Sequence, residues 1–225
     1  MKTSSLLAVA LAAVLATSGY ASSAHAQLGG LRKLAPGGGQ PNVTAGDPDA
    51  FLSETLETTK LVWSAATLLA HAVDEDGKQE EARAQLAAIQ GASSLRELQA
   101  HKASFEANVA TVNAKAADTA ALQAKYDAAS ANQRTLMLNA AYNFTIGMMR
   151  NIELGQQAPS LISGLQSNPM QVTKLGSLRA AAGLLGDQVQ ATRTMVGPMR
   201  TLLSRGGVEV PANATASSAK PITDF

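Results

Sequence analysis

The chain reads as all-α: an antiparallel bundle of four to five main helices with flexible N- and C-terminal tails. Three observations predict this. Apolar residues recur three and four apart through most of residues 47–205, the spacing that lines one side of a helix. No β-branched run alternates with period two over a convincing length. Glycine and proline cluster at the two ends of the chain and at a few internal stops, where helices begin and finish.

Residues 1–26 have the three-part pattern of a secretory signal peptide. Met1 and Lys2 open it, Leu6 to Ala16 contains only Leu, Ala and Val, and Ala24-His25-Ala26 precedes Gln27. That apolar core is too short for a membrane span, which needs about 20 residues. Cleavage near Ala26-Gln27 places the mature chain in the periplasm or outside the cell. With no cysteine in the chain, neither an N-terminal lipid anchor nor a disulfide can form. Residues 27–46, with Gly37-Gly38-Gly39 between Pro36 and Pro41, read as a flexible leader.

The helical domain, 47–205, opens at Asp47-Pro48, an N-cap followed by proline at the first helical position. Leu52, Leu56, Thr59, Trp63, Ala66, Ala70 and Val73 build the apolar face of this first helix. Glu57, Lys60, Ser64 and His71 lie on its other side, and Asp74-Glu75-Asp76-Gly77 ends it. A short helix over Lys78 to Gln90 stops at Gly91. Ser93 or Ser94 starts a long third helix, with Glu97 set for a capping box and a break expected in the Ala-rich stretch Ala114 to Ala124. Gln133 to Leu154 is apolar over more of its circumference than the others and is expected to lie centrally. Pro159 and Asn168-Pro169 bracket a short helix. The last helix runs from Pro169 to about Arg205, with a seam of Leu175, Leu178, Ala182, Leu185, Val189, Thr192, Val196, Met199 and Leu203. Gly197-Pro198 should kink it. Gly176, Ala180 and Gly183 would permit close helix approach. Residues 206–225, with Gly206-Gly207, Pro211 and Pro221, read as a flexible tail.

Composition narrows the function. Without Lys2 the chain carries 17 basic and 17 acidic residues, a poor balance for binding nucleic acid or anionic membranes. Aromatics are 4% of the chain, too few for base-stacking platforms. No apolar run after Gln27 is long enough for a transmembrane segment. The charge is polarised: residues 41–130 hold 13 acidic and 7 basic residues, and residues 131–225 hold 4 and 8. The two halves are expected to pack together with solvated outer faces.

Catalytic patterns do not emerge. There is no cysteine nucleophile and no G-x-S-x-G, and the mature histidines are His71 and His101. His71 falls on the polar side of its helix, and His101 lies one turn after Glu97, so both read as surface residues. Glu-x-x-His pairs for a bundle metal site are absent. Asp74-Glu75-Asp76-Gly77 lacks the first and twelfth ligands of a calcium loop. The chain is therefore expected to be no enzyme and to need no cofactor.

Two constellations remain. Arg179, Arg193 and Arg200 are spaced by multiples of seven on the last helix, where planar guanidinium groups could join a protein partner or a second copy. Asn139, Asn143 and Arg150 form a polar stripe on the central helix, and Met137, Phe144 and Met148 lie on its apolar side. Together they would line a cavity if the protein carried a small apolar ligand. The leading expectation is an exported, non-enzymatic helical protein acting through protein contacts, as an envelope adaptor, assembly factor or scaffold.

Overall fold

The computed structural model describes residues 47–74, 79–116, 118–166 and 169–222. The residues read as signal peptide and leader, 1–46, and residues 75–78 lie outside them. Among the described residues all regular structure is helical. The helices are α1 (Pro48–Val73), α2 (Gln79–Gly91), α3 (Leu95–Gln99), α4 (Lys102–Ala116), α5 (Thr119–Ala128), α6 (Ala131–Gln166), α7 (Leu175–Thr192) and α8 (Val196–Arg205). The described residues also include three short 3₁₀ turns, Pro169–Lys174, Arg193–Met195 and Ala216–Ser218. None of the described helices is long and apolar enough to cross a membrane.

Local chemistry sets the boundaries. The Asp47 side chain accepts from the Asp49 and Ala50 amides and starts α1, satisfying donors that a helix start leaves without partners. Asp118 does the same for α5, accepting from Ala120 and Ala121, and so makes the break expected in the alanine stretch. Ser94 caps α3 by accepting from the Glu97 amide at 3.2 Å. The Glu97 carboxylate reaches one residue further back than a capping box requires, accepting from the Ser93 amide at 2.7 Å. That backbone bond holds its pKa below the ordinary carboxylate value, and the carboxylate that His101 was expected to pair with is bound to Ser93 instead.

Proline acts differently from expectation in two places. Pro159 lies inside α6, which runs on to Gln166, so no separate short helix exists there. The carbonyl that Pro159 cannot pair with is that of Gly155; both residues are exposed, so solvent can take up the lost bond. In the last segment the break falls before Gly197-Pro198, at the 3₁₀ turn Arg193–Met195. Pro198 has no N–H for the Thr194 carbonyl and its ring crowds that carbonyl, so the distortion appears four residues upstream.

Packing centres on α1 and α6, which contact each other more extensively than any other pair. Residues 62–70 of α1 and 140–148 of α6 are buried without interruption, including Ser64, which was expected on the polar side. These two helices run antiparallel, as Glu54 meets Arg150 while Val62 meets Gly147. α6 and α7 are antiparallel as well, with Asn151 on Gln188 and Met148 on Thr192. α4, however, runs parallel to α1. Trp63 stacks on Phe105 at 4.8 Å between centroids, Thr67 bonds Asn108, and Asp74 faces Lys115. The reason is α2, which carries the chain back along α1 before α4 sets out again.

Gly176 and Gly183, expected to mediate close approach, have no neighbour within 4 Å of a built Cβ. Within the described helices the close approach is at Gly147, where a Cβ would lie 2.6 Å from Val62 Cγ2, 3.2 Å from the Thr58 carbonyl oxygen and 3.3 Å from the Val62 nitrogen. Val62 is β-branched and stiff, and the backbone atoms cannot retreat alone. Gly147→Ala is therefore expected to lower stability by roughly 1–2 kcal/mol by overpacking, despite alanine's better helix propensity. Gly155→Ala, with nothing within 4 Å, should raise it by up to about 1 kcal/mol. Urea denaturation of both variants checks the pair.

Candidate functional site

The core has two apolar parts separated by a polar layer. The larger cluster includes Trp63, Leu68, Phe105, Phe144, Ile146 and Met199. The smaller one comprises Phe51, Leu154, Ala158, Leu165, Leu178, Ala181 and Leu185. Between them α1 contributes Glu54, Thr55, Thr58 and Thr59, α6 contributes Arg150 and Asn151, and α7 contributes Gln188. All of these except Glu54 are at least 95% buried. Arg150 pairs with Glu54 across the α1–α6 contact and with Glu153 on its own helix at 2.6 Å. Asn151 Nδ2 donates to Gln188 Oε1 across the α6–α7 contact. Thr55 and Thr58 turn their hydroxyls to carbonyls of their own helix, those of Phe51 and Glu54, at 2.8 Å. Thr59 Oγ1, Arg150 Nε, Asn151 Oδ1, Gln188 Nε2 and Trp63 Nε1 make no hydrogen bond among the described residues. Such atoms weaken a fold by about 1–3 kcal/mol each when fully dry.

Nearer the start of α6, residues 206–222 of the segment read as a flexible tail over 206–225 are docked against the rest of the chain. α8 ends where Gly206 and Gly207 donate to the Leu202 and Ser204 carbonyls. Gly207 takes the left-handed φ of 65° that the reversal requires. Val210 and Ala214 are buried against the core. Further on, the Lys220 N–H donates to Asn143 Oδ1 at 2.7 Å, and Asn143 Nδ2 donates back to the Lys220 carbonyl at 2.9 Å. Asn139 Nδ2 donates to the Pro221 carbonyl at 3.0 Å. The Lys220 ammonium lies 5.3 Å from the centre of the Tyr142 ring, within cation–π range. These three hydrogen bonds, at roughly 0.5–1.5 kcal/mol each, offset only part of the ordering of residues 220–222 at about 1–2 kcal/mol per residue.

The residues expected to line a ligand cavity are thus brought into three different environments. Asn139 and Asn143 hold the C-terminal segment, Arg150 lies in the ion cluster with Glu54 and Glu153, and Met137, Phe144 and Met148 are packed in the core at 2% exposure or less. A narrow slot lies beside Trp63, Phe105, Leu184 and Gln188, with the Lys102–Asp187 ion pair at its solvent side. It offers about 10 Å³ to the centre of a water-sized molecule, room for one such group and not for a metabolite.

Arg179, Arg193 and Arg200 are all exposed. Arg179 lies on α7, Arg193 in the 3₁₀ turn and Arg200 on α8, so the turn interrupts their heptad spacing. Other basic residues of the second half are paired with acids of the first: Arg150 with Glu54, Lys174 with Asp49, and Arg205 with Asp127 at 2.7 Å. His71 and His101 are both half-buried. Burial pushes the His71 imidazole below its ordinary pKa, Asp74 opposing and Arg83 adding to the shift.

The sequence reading did not pick out Glu54, Asn151, Gln188, Tyr142 or Lys220. For the layer, a signal was present: Thr55, Thr58 and Thr59 interrupt the apolar face of α1 one turn after Glu54. For Lys220 and Tyr142 no local pattern existed, because their meeting depends on the course of the chain after α8. No family model, no curated protein and no solved structure matches this chain.

Removing the Arg150 side chain leaves Glu54 and Glu153 facing each other at the edge of the layer. Arg150→Ala is expected to lower stability by about 2–4 kcal/mol, somewhat below a fully buried pair because both acids reach solvent. Adding Glu54→Gln should restore part of that loss, as read by a double-mutant cycle on urea midpoints.

Proposed function

We propose that this chain is an exported, non-enzymatic helical protein that acts through protein contacts, as an envelope adaptor, assembly factor or scaffold. Export rests on the N-terminal pattern ending at Ala26, and the non-enzymatic reading on the sequence, which has no nucleophile motif, no cysteine and two mature histidines. In this reading α1, α4, α6 and α7 are main helices of a bundle of four to five, a rigid frame that presents its surface to a partner.

The observation that carries the proposal is the arginine set. Arg150, Lys174 and Arg205 meet acids of the first half within the molecule, while Arg179, Arg193 and Arg200 are exposed and engage no acid among the described residues. Guanidinium groups in that position suit an acidic protein surface, on a second copy or on another protein, by two-point pairing with carboxylates.

Light scattering coupled to size exclusion, at low and at high salt, tests this on the chain beginning at Gln27. The expected result is an association that salt weakens and that the triple substitution Arg179→Glu, Arg193→Glu, Arg200→Glu weakens by about tenfold or more, since exposed pairs contribute up to about 1 kcal/mol each. If the chain is monomeric, the same triple variant is expected to lose a co-purifying envelope protein. A monomer at both salts that loses no partner on charge reversal would refute the proposal.

A further inference from the structure

The Asn139–Asn143 side of α6 recognises a chain by its backbone. Asn143 offers its carbonyl to the Lys220 N–H and its amide to the Lys220 carbonyl, as a neighbouring strand would, and Asn139, one turn away, takes the next carbonyl, that of Pro221. None of these bonds reads a side chain of the bound segment. Selectivity comes from three further features: the Lys220 ammonium over the Tyr142 ring, Pro221 with no N–H to satisfy, and Ile222 packed against the core. That arrangement resembles β-strand addition in its chemistry, with asparagine side chains in place of a sheet edge.

The docked segment divides into an anchor and a removable part. Val210 and Ala214 are buried, whereas Ser217, Ser218, Lys220 and Pro221 are exposed. The clamped residues can therefore leave with Val210 and Ala214 still in place, giving up only the partly buried Ile222 contact at the edge of the core. Asn143 is itself fully buried, and its two bonds to Lys220 are the ones a departing segment would break. An amide in that position favours any extended backbone that restores both bonds.

From this we infer that the Asn139–Asn143 clamp is a docking site for an extended lysine–proline–apolar peptide of a partner protein, and that residues 220–222 occupy it in cis as a displaceable stand-in. The inference uses a different surface from the arginine set, so either can fail without the other.

A fluorescent peptide with the sequence of residues 215–222, titrated into the full chain and followed by anisotropy, tests it. Lys220→Pro in the protein removes the N–H that Asn143 accepts and leaves α6 unaltered. A linked segment competes at an effective concentration in the millimolar range, so the Lys220→Pro chain is expected to bind the peptide about tenfold or more tighter than the unaltered chain. Asn139→Ala added to Lys220→Pro should reverse most of that gain. Circular dichroism checks that the variant keeps its helices, and Lys220→Glu, which keeps the backbone donor and removes the cation from Tyr142, replaces it if it does not. Equal binding by altered and unaltered chains, or binding indifferent to Asn139→Ala, would overturn the inference. So would an unaltered chain that is a dimer and is split by the peptide, since that outcome assigns the clamp to the segment of a second copy.

Discussion

Burial of the Arg150 guanidinium between the two apolar clusters is the constraint on which the arrangement of helices depends. A charge at 5% exposure needs an opposite charge held in good geometry, or the fold loses several kcal/mol. Glu54 supplies it from α1 and Glu153 from one turn further along α6. Sliding α1 along α6 by one turn would leave Arg150 facing a threonine or an apolar residue. It would also drive the Val62 side chain away from the gap that Gly147 leaves for it. Apolar clusters alone tolerate such slips, because they are non-directional. The polar layer does not, because each of its bonds has one partner.

The same helix gathers its other neighbours by the same means. Asn151 reaches Gln188, and Met148 Sδ lies 3.1 Å from the Thr192 hydroxyl, which donates to the Gln188 carbonyl of its own helix at 2.6 Å; these contacts place α7. Asn143 and Asn139 hold the segment after α8. α6 thus meets α1, α7 and the C-terminal segment through one to three directional contacts each, with leucine, methionine and alanine filling the space between. The charge polarity of the chain serves that packing: acids of α1 and α5 meet bases of α6, the 3₁₀ turn before α7, and α8. Of the second half's arginines, Arg179, Arg193 and Arg200 stay exposed with no acid paired to them among the described residues.

Much of the helical content was legible from period and punctuation. Asp47, Asp118 and Ser94 start helices as their side chains require, and the central burial of α6 follows from its wide apolar circumference. What could not be read was tertiary. The parallel course of α4 depends on α2 acting as a return path, which periodicity does not encode. Close approach was assigned to Gly176 and Gly183, whose exposed faces meet nothing, and it occurs at Gly147, which has no small-residue pattern around it. The polar stripe of α6 was visible, but its three members differ in fate: Arg150 faces the layer, while Asn139 and Asn143 face a segment whose glycine and proline content suggested a free tail. Backbone groups of that segment, invisible in composition, are what the asparagines bind.

The most direct test of the polar layer is to replace it with apolar groups of similar volume and examine the result by two-dimensional amide and methyl NMR. The chosen variant carries Glu54→Leu, Arg150→Met, Asn151→Leu and Gln188→Leu. The expected variant is a helical protein whose thermal midpoint is unchanged or higher, since buried ion pairs often stabilise less than good apolar packing. It is also expected to show doubled or broadened methyl resonances from residues of α1, α6 and α7, as more than one register becomes populated. A variant with one sharp resonance per methyl group and the Val62–Gly147 contact intact would contradict this, and would show that the apolar clusters alone set the register.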